Sequence, residues 1–255
     1  MTPLTALLAE ARQSGRQVAS LPAELIPADD AAGYAIADAV AAELGWEPLG
    51  WKIAGTTAAM RQRLKVSEPI CGRTYRRFAL ASPAQLPHAA LLDPLVECEF
   101  FVTLGADLPF RPEPFSMPEI RAAVGQVQAG IEVAECRFPM RALPPLPAIL
   151  ADGSASGRYI FGDAIPDWRA GLAALRVVLE VDGVALREGS GADVMGDPLA
   201  PILWLTEARR RRGEGLRAGQ MISTGSCTGM LPVRAGQQMR ARFGDSALVE
   251  IAFDG

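Results

Sequence analysis

Leu4, Leu7, Leu8 and Ala11 recur at helical spacing and stop before Gly15, which predicts a first helix. Asp29 or Asp30 can cap a second helix, anchored by Tyr34, Ile36, Val40 and Leu44 and ended by Gly45. Pro22 and Pro27 mark the connection between them. This alanine-rich start lacks the large apolar residues of an independent core. Residues 1–50 are therefore expected to form a helical appendage on a larger unit spanning 51–255.

After Trp51 the pattern turns toward strands. Leu95 to Thr103 is a strongly apolar run interrupted by two glutamates. Ser116-Met-Pro-Glu119 is a capping box that predicts a helix running toward Val127, followed by a strand over Ile131 to Phe138. Residues 173–188 read as a hairpin turning at Asp182-Gly183. Pro198 fits the first turn of a helix carrying Leu199, Ile202, Leu203 and Leu205 and ending in Arg209 to Arg212 and Gly213. No aromatic residue interleaves those arginines, so they read as a solvated helix end. Gln237 to Phe243 and Leu248 to Phe253 complete the strands. The class is α+β, β-rich with inserted helices.

Composition narrows the chemistry. With 25 Lys+Arg against 29 Asp+Glu the net charge is −4, which gives no global field for nucleic acid or an anionic membrane. There is no leader-like basic and apolar start and no membrane-length apolar run, so a cytoplasmic location is the default. Cys71, Cys98, Cys136 and Cys227 are widely spaced and read as reduced, buried thiols. The chain has one histidine, His88, and only two lysines, Lys52 and Lys65. Any metal site needing two imidazoles from one chain is thereby excluded. A catalytic metal would be held by oxygen ligands, which favour magnesium, calcium or manganese.

The sharpest local feature is Val96-Glu-Cys-Glu-Phe100. On a strand, Glu97 and Glu99 share one face while Cys98 points to the other. Two like charges on an apolar strand need compensation, from a divalent cation or from arginines. Among the nearby carboxylates Glu132, flanked by Ile131 and Val133, is the better third member; Glu135 and Arg137 fit local ionic contacts. Lys52 lies among bulky apolar neighbours in Gly50-Trp-Lys-Ile-Ala-Gly55. It is either buried, with its pKa lowered by desolvation, or a snorkelling side chain with its head in water. Gly219 to Gly229 is a strand entering a turn rich in glycine, serine and threonine, whose N–H groups and hydroxyls suit a carboxylate or phosphate. Asp152-Gly-Ser-Ala-Ser-Gly157 is another turn, with Asp152 a weaker candidate. No GxSxG elbow occurs, and His88 has no adjacent nucleophile.

In chain order, Gly50 to Thr57, Glu68 to Arg73, Val96 to Phe100, Ile131 to Arg137, Ala151 to Ser156 and Ala218 to Ser226 resemble the 2-keto-4-pentenoate hydratase branch of the fumarylacetoacetate hydrolase superfamily. The resemblance spans almost the whole chain. It implies a mixed β-rich fold with an N-terminal helical portion, Mg2+ or Mn2+ held by Glu97, Glu99 and Glu132, and a homo-oligomer. Lys52 matches a lysine assisting proton transfer, and Asp152 a catalytic aspartate. That aspartate is usually followed by asparagine, where this chain has Gly153; Gln220 stands where an aspartate is common. The implied reaction is hydration of a short 2-hydroxy-2,4-dienoate, with Thr57, Ser223, Ser226 and Thr228 binding its carboxylate or positioning water. The nearest alternative is decarboxylation of a 2-oxo-3-enedioate, whose second carboxylate would need Arg73 or Arg137. C–C hydrolysis of an acylpyruvate ranks lower, since His88 has no secure match. A non-catalytic metabolite-binding or assembly role stays open because of Gly153 and Gln220.

Overall fold

The computed structural model describes residues 1–255. Helix α1 (Pro3–Ser14) is capped by the Thr2 hydroxyl and stopped by Gly15 at φ 65°; α2 (Asp30–Leu44) is capped by Asp29, which accepts from Ala32 N–H at 2.8 Å. The chain continues through β1 (Pro48–Ala54), α3 (Ala58–Leu64), β2 (Ile70–Tyr75), β3 (Ala79–Ala81), β4 (Ala84–Pro87) and β5 (Leu95–Leu104). Next come α4 (Met117–Ala123), β6 (Val124–Ala134), α5 (Leu146–Ala151), β7 (Arg158–Ala164), and the hairpin β8 (Arg176–Val181) and β9 (Val184–Ser190). Helix α6 (Ala200–Arg210) and strands β10 (Met221–Ser223), β11 (Leu231–Pro232), β12 (Gln238–Phe243) and β13 (Ala247–Asp254) finish it.

The strands form two sheets, ordered β2-β1-β10-β5-β6-β7-β3, with β11 added beside β5, and β4-β13-β12-β8-β9. The late strand β10 is inserted between β1 and β5, parallel to the first and antiparallel to the second. Alternation along β5 explains how an apolar strand carries charge. Val96, Cys98, Phe100 and Val102 face the main core between the sheets, where Phe100 meets Phe243 edge-to-face at 5.2 Å. The odd-numbered positions, including Glu97 and Glu99, face the other way. The helices share a smaller core, in which Leu4, Leu8, Val40 and Leu44 pack with Tyr75, Phe138 and Ala148. On α1 the buried stripe Leu4–Leu8 continues one turn further to Arg12, which is also buried. The expected break between residues 50 and 51 falls inside β1.

Two expected boundaries move. The helix opened by Ser116 ends at Ala123 rather than Val127, and the next strand already begins at Val124 and stops at Ala134. Pairing of Val124 and Val127 with Leu104 and Val102 of β5 outweighs the helical continuation. A Cβ on Gly105 would come within 2.9 Å of the Gly125 Cα, so only bare backbone fits at that crossing. The last helix takes Pro201, not Pro198, into its first turn, because Asp197 Oδ1 accepts from Leu199 N–H at 2.8 Å and closes a separate turn first. All four cysteines are free and buried. No helix is long and apolar enough to cross a membrane.

Candidate metal-binding active site

Strand register brings the acidic residues together. Glu97 on β5 stands directly opposite Glu132 on β6, and Glu99 lies two positions along on the same face. One oxygen from each carboxylate lies within 4.8 Å of the others, and all three residues are buried. Lys52 on β1 is in register with Ser223 on β10 and points into the same cluster. Its Nζ lies 3.3 Å from Glu132 Oε1 and donates to the Ser154 carbonyl at 3.0 Å. Ser223 Oγ donates to Glu99 and lies 3.5 Å from Glu132 Oε2; the Gly225 N–H donates to Glu99 Oε2 at 2.9 Å.

Charge does not balance within this cluster: three carboxylates face one ammonium. Burial pushes the Glu97 carboxyl up to about 7, opposed by Lys52 and reinforced by Glu132. Burial likewise raises Glu99 well above the ordinary carboxyl range, and raises Glu132 against the pull of Lys52. For Lys52, burial lowers the pKa, but Glu132, Glu97 and Glu99 together outweigh it, and the net shift is upward. The lysine is buried, as one sequence reading had it, with the opposite net shift. This all-oxygen cluster could hold a hard divalent cation, whose preference for carboxylate oxygens matches its donors.

Lys52 and Glu97 open onto a cavity of about 310 Å3, whose wall includes Met60, Ile70, Met140, Ile149 and Met230. Thr57 and Ser226 also line it, and Thr57 caps α3 by accepting from Met60 N–H at 3.2 Å. Ser223 sits behind the carboxylates, fully buried, and Thr228 is buried outside the cavity lining. The structure does not bring Arg73, Arg137 or Asp152 to this cavity. Arg73 points to the opposite face of its sheet, stacked 4.7 Å over the Trp51 ring and paired with Asp38 at 2.9 Å. Arg137 is locked onto Asp152, Nε to Oδ1 at 2.7 Å, and Asp152 is fully buried. Gln220 accepts from Arg217 N–H at 3.0 Å in an exposed turn. Glu135 pairs with Arg158 at 3.2 Å, and His88 Nε2 lies 3.2 Å from the Val233 carbonyl. Sequence reasoning missed Tyr159, whose hydroxyl donates to Glu132 at 3.3 Å, because one tyrosine in a strand reads as core. It also missed Arg12.

No family model matches the chain. It is 30% identical over 236 residues to 2-keto-4-pentenoate hydratase from Burkholderia vietnamiensis, covering 91% of this chain and 89% of that protein. The chain belongs to the 2-keto-4-pentenoate hydratase family. Members of this family are enzymes, and so is this chain. The fold of this chain is also that of 4-oxalocrotonate decarboxylase from Pseudomonas putida G7, solved with magnesium and adipate. That structure matches with a TM-score of 0.90 and 25% identity over 98% of this chain and 95% of that one. Fumarylpyruvate hydrolase from Pseudomonas aeruginosa, at 16% identity, shares the fold alone, with a TM-score of 0.61 over 82% of this chain and 90% of that one.

Proposed function

We propose that this enzyme hydrates a short 2-hydroxy-2,4-dienoate, of the 2-hydroxypenta-2,4-dienoate kind, to a 4-hydroxy-2-oxo acid. Glu97, Glu99 and Glu132 would hold Mg2+ or Mn2+ for it. The observation that carries this reading is the convergence of three buried carboxylates and Lys52, of which Glu97 and Lys52 line the cavity. A divalent cation held there would act as a Lewis acid, stabilising negative charge that builds on the substrate's C2 oxygen. With a cation held by the three glutamates, their upward pull on Lys52 would be offset, and the buried ammonium would give up its proton more readily. Lys52 would then move the proton from the C2 hydroxyl to C5 during ketonisation, and water would add its hydroxyl at C4 and a proton at C3 of the conjugated 2-oxo acid. Ser223 and the Gly225 N–H hold Glu99 in place, while Thr57 and Ser226, which line the cavity, would meet the carboxylate or the water.

The test is loss of diene absorbance during metal titration. The Glu97→Ala/Glu99→Ala variant should lose metal-dependent turnover; full metal-independent turnover by that variant would sink the assigned site. Decarboxylation of a 2-oxo-3-enedioate is the second reading, favoured by one observation: Arg63 is exposed and lines the cavity, where it can meet a second carboxylate. Release of CO2 rather than gain of water would identify it.

A further inference from the structure

Asp152 is the fixed point of a buried cation clamp. Arg137 donates from Nε to Oδ1 at 2.7 Å, from Nη2 to Oδ2 at 3.0 Å, and from its backbone N–H to Oδ2 at 3.1 Å. Arg12 donates from Nη2 to the Asp152 carbonyl oxygen, and the same nitrogen lies 3.5 Å from Oδ1. Arg12 and Arg137 are 9% and 5% exposed. Two guanidiniums out of water around one carboxylate persist only where each is satisfied, and deleting one member leaves the others uncompensated.

The clamp grips the turn that follows. Arg137 Nη2 also donates to the Ser156 carbonyl at 2.9 Å, and Ser154 Oγ donates to the Cys71 carbonyl at 2.7 Å. The Ser154 carbonyl receives Lys52, while Ser156 Oγ lies 2.8 Å from the Tyr159 hydroxyl that reaches Glu132. Gly153, Ser154 and Ala155 have φ of 75°, 57° and 59°, three successive left-handed residues of which two carry side chains. Such a course is costly for an L-residue and holds only with outside support. Arg12 gives that support at Gly153: a Cβ placed there would lie 3.0 Å from Arg12 Nη2. The guanidinium closes over the one turn residue that has no side chain of its own.

We infer that Arg12, carried by the N-terminal helix, is a positioning residue for Lys52. With Arg137 it holds the 152–156 turn in its left-handed course, and the Ser154 carbonyl then aims the Lys52 ammonium at the carboxylate cluster. This rests on Lys52 as the proton carrier. It also gives the helical portion a part in the site: Leu4 and Leu8 dock α1, and Arg12 is its reach into the turn.

The chain has only two lysines, so protein labelled with ε-13C-lysine gives two signals, and Lys65→Arg assigns them. In folded, metal-loaded Arg12→Ala, kcat for 2-hydroxypenta-2,4-dienoate should fall about tenfold with KM changed less than about twofold. The Lys52 signal should move or broaden while that of Lys65 stays in place. Arg12→Lys should recover part of the rate, since it restores charge without the planar fork. Gly153→Asn should slow the enzyme that keeps Arg12 more than it slows Arg12→Ala, where only the strain of the left-handed backbone remains. An unmoved Lys52 signal and unchanged kcat in folded Arg12→Ala would overturn the inference. If that variant does not fold, Arg12→Lys decides, because it keeps the buried charge without the planar fork; an unmoved Lys52 signal and unchanged kcat there overturn the inference equally. If the unaltered enzyme turns over no dienoate, the hydration reading fails, while the lysine signal still decides the positioning.

Discussion

Glu97, Glu99 and Glu132 stay buried against their own repulsion, so the pH dependence of stability should carry their signature. Their folded pKa values lie above the unfolded ones, with Glu97 at about 7. A raised carboxyl stabilises the fold while protonated, fully below the unfolded pKa, and that contribution is lost as pH rises through the folded value. The metal-free protein should therefore melt at a lower temperature at about pH 8 than at about pH 6, as far as these groups decide it. The gain in Tm on adding Mg2+ should be larger at the higher pH, because the cation binds the deprotonated site. Equal gains at both would contradict a carboxylate site. Lys52→Met separates two effects: turnover should drop by about 10²–10⁴-fold with the proton carrier gone. Calorimetry should meanwhile find Mg2+ bound at least as tightly, because a competing positive charge has been removed from beside Glu132.

At the scale of elements, stability and legibility both follow from how local each signal is. Leu8 is fully buried where α1 meets the second core, and Leu8→Ala should cost about 3 kcal/mol in denaturant unfolding. The Gly15 and Gly45 stops, the Ser116 capping box and the Asp182-Gly183 hairpin could all be read from sequence, because each is decided within a few residues. The switch from helix to strand at Val124 could not, because β5 decides it. Glu97 and Glu99 announced a shared face by spacing, but nothing local says that Glu132 stands opposite Glu97. Asp152 was visible as a residue of interest, while its enclosure depends on Arg12, 140 positions away. An arginine ending an apolar helical stripe looks like surface until its partner is seen.

Across the whole molecule, the cavity's chemistry favours one kind of substrate tail. Its lining combines Met60, Leu64, Ile70, Met140, Ile149 and Met230 with the carboxylates of Asp93, Glu188 and Asp193, and Arg73 and Arg137 are committed elsewhere. A second carboxylate would lose hydration there with Arg63 alone to meet it, whereas an alkyl tail gains from burial. Competition assays should therefore show higher kcat/KM for alkyl-substituted 2-hydroxydienoates than for 2-oxoenedioates. Arg63→Ala should reduce whatever enedioate turnover remains and leave the dienoate rate nearly unchanged. An enzyme that prefers enedioates, and loses that preference with Arg63, would point to decarboxylation instead.

The placement of β10 also bears on how the enzyme is made. Lys52 and the glutamates of β5 leave the ribosome early, but the strand that seats between them, bearing Ser223, is synthesised late. Until it inserts, the edges of β1 and β5 are unpaired backbone, open to pairing with other chains. Closing the sheet joins distant stretches of sequence, a slow kind of step in folding. A nascent chain halted before residue 221 would thus hold Lys52 and the glutamates without the strand that joins β1 to β5 and brings them side by side.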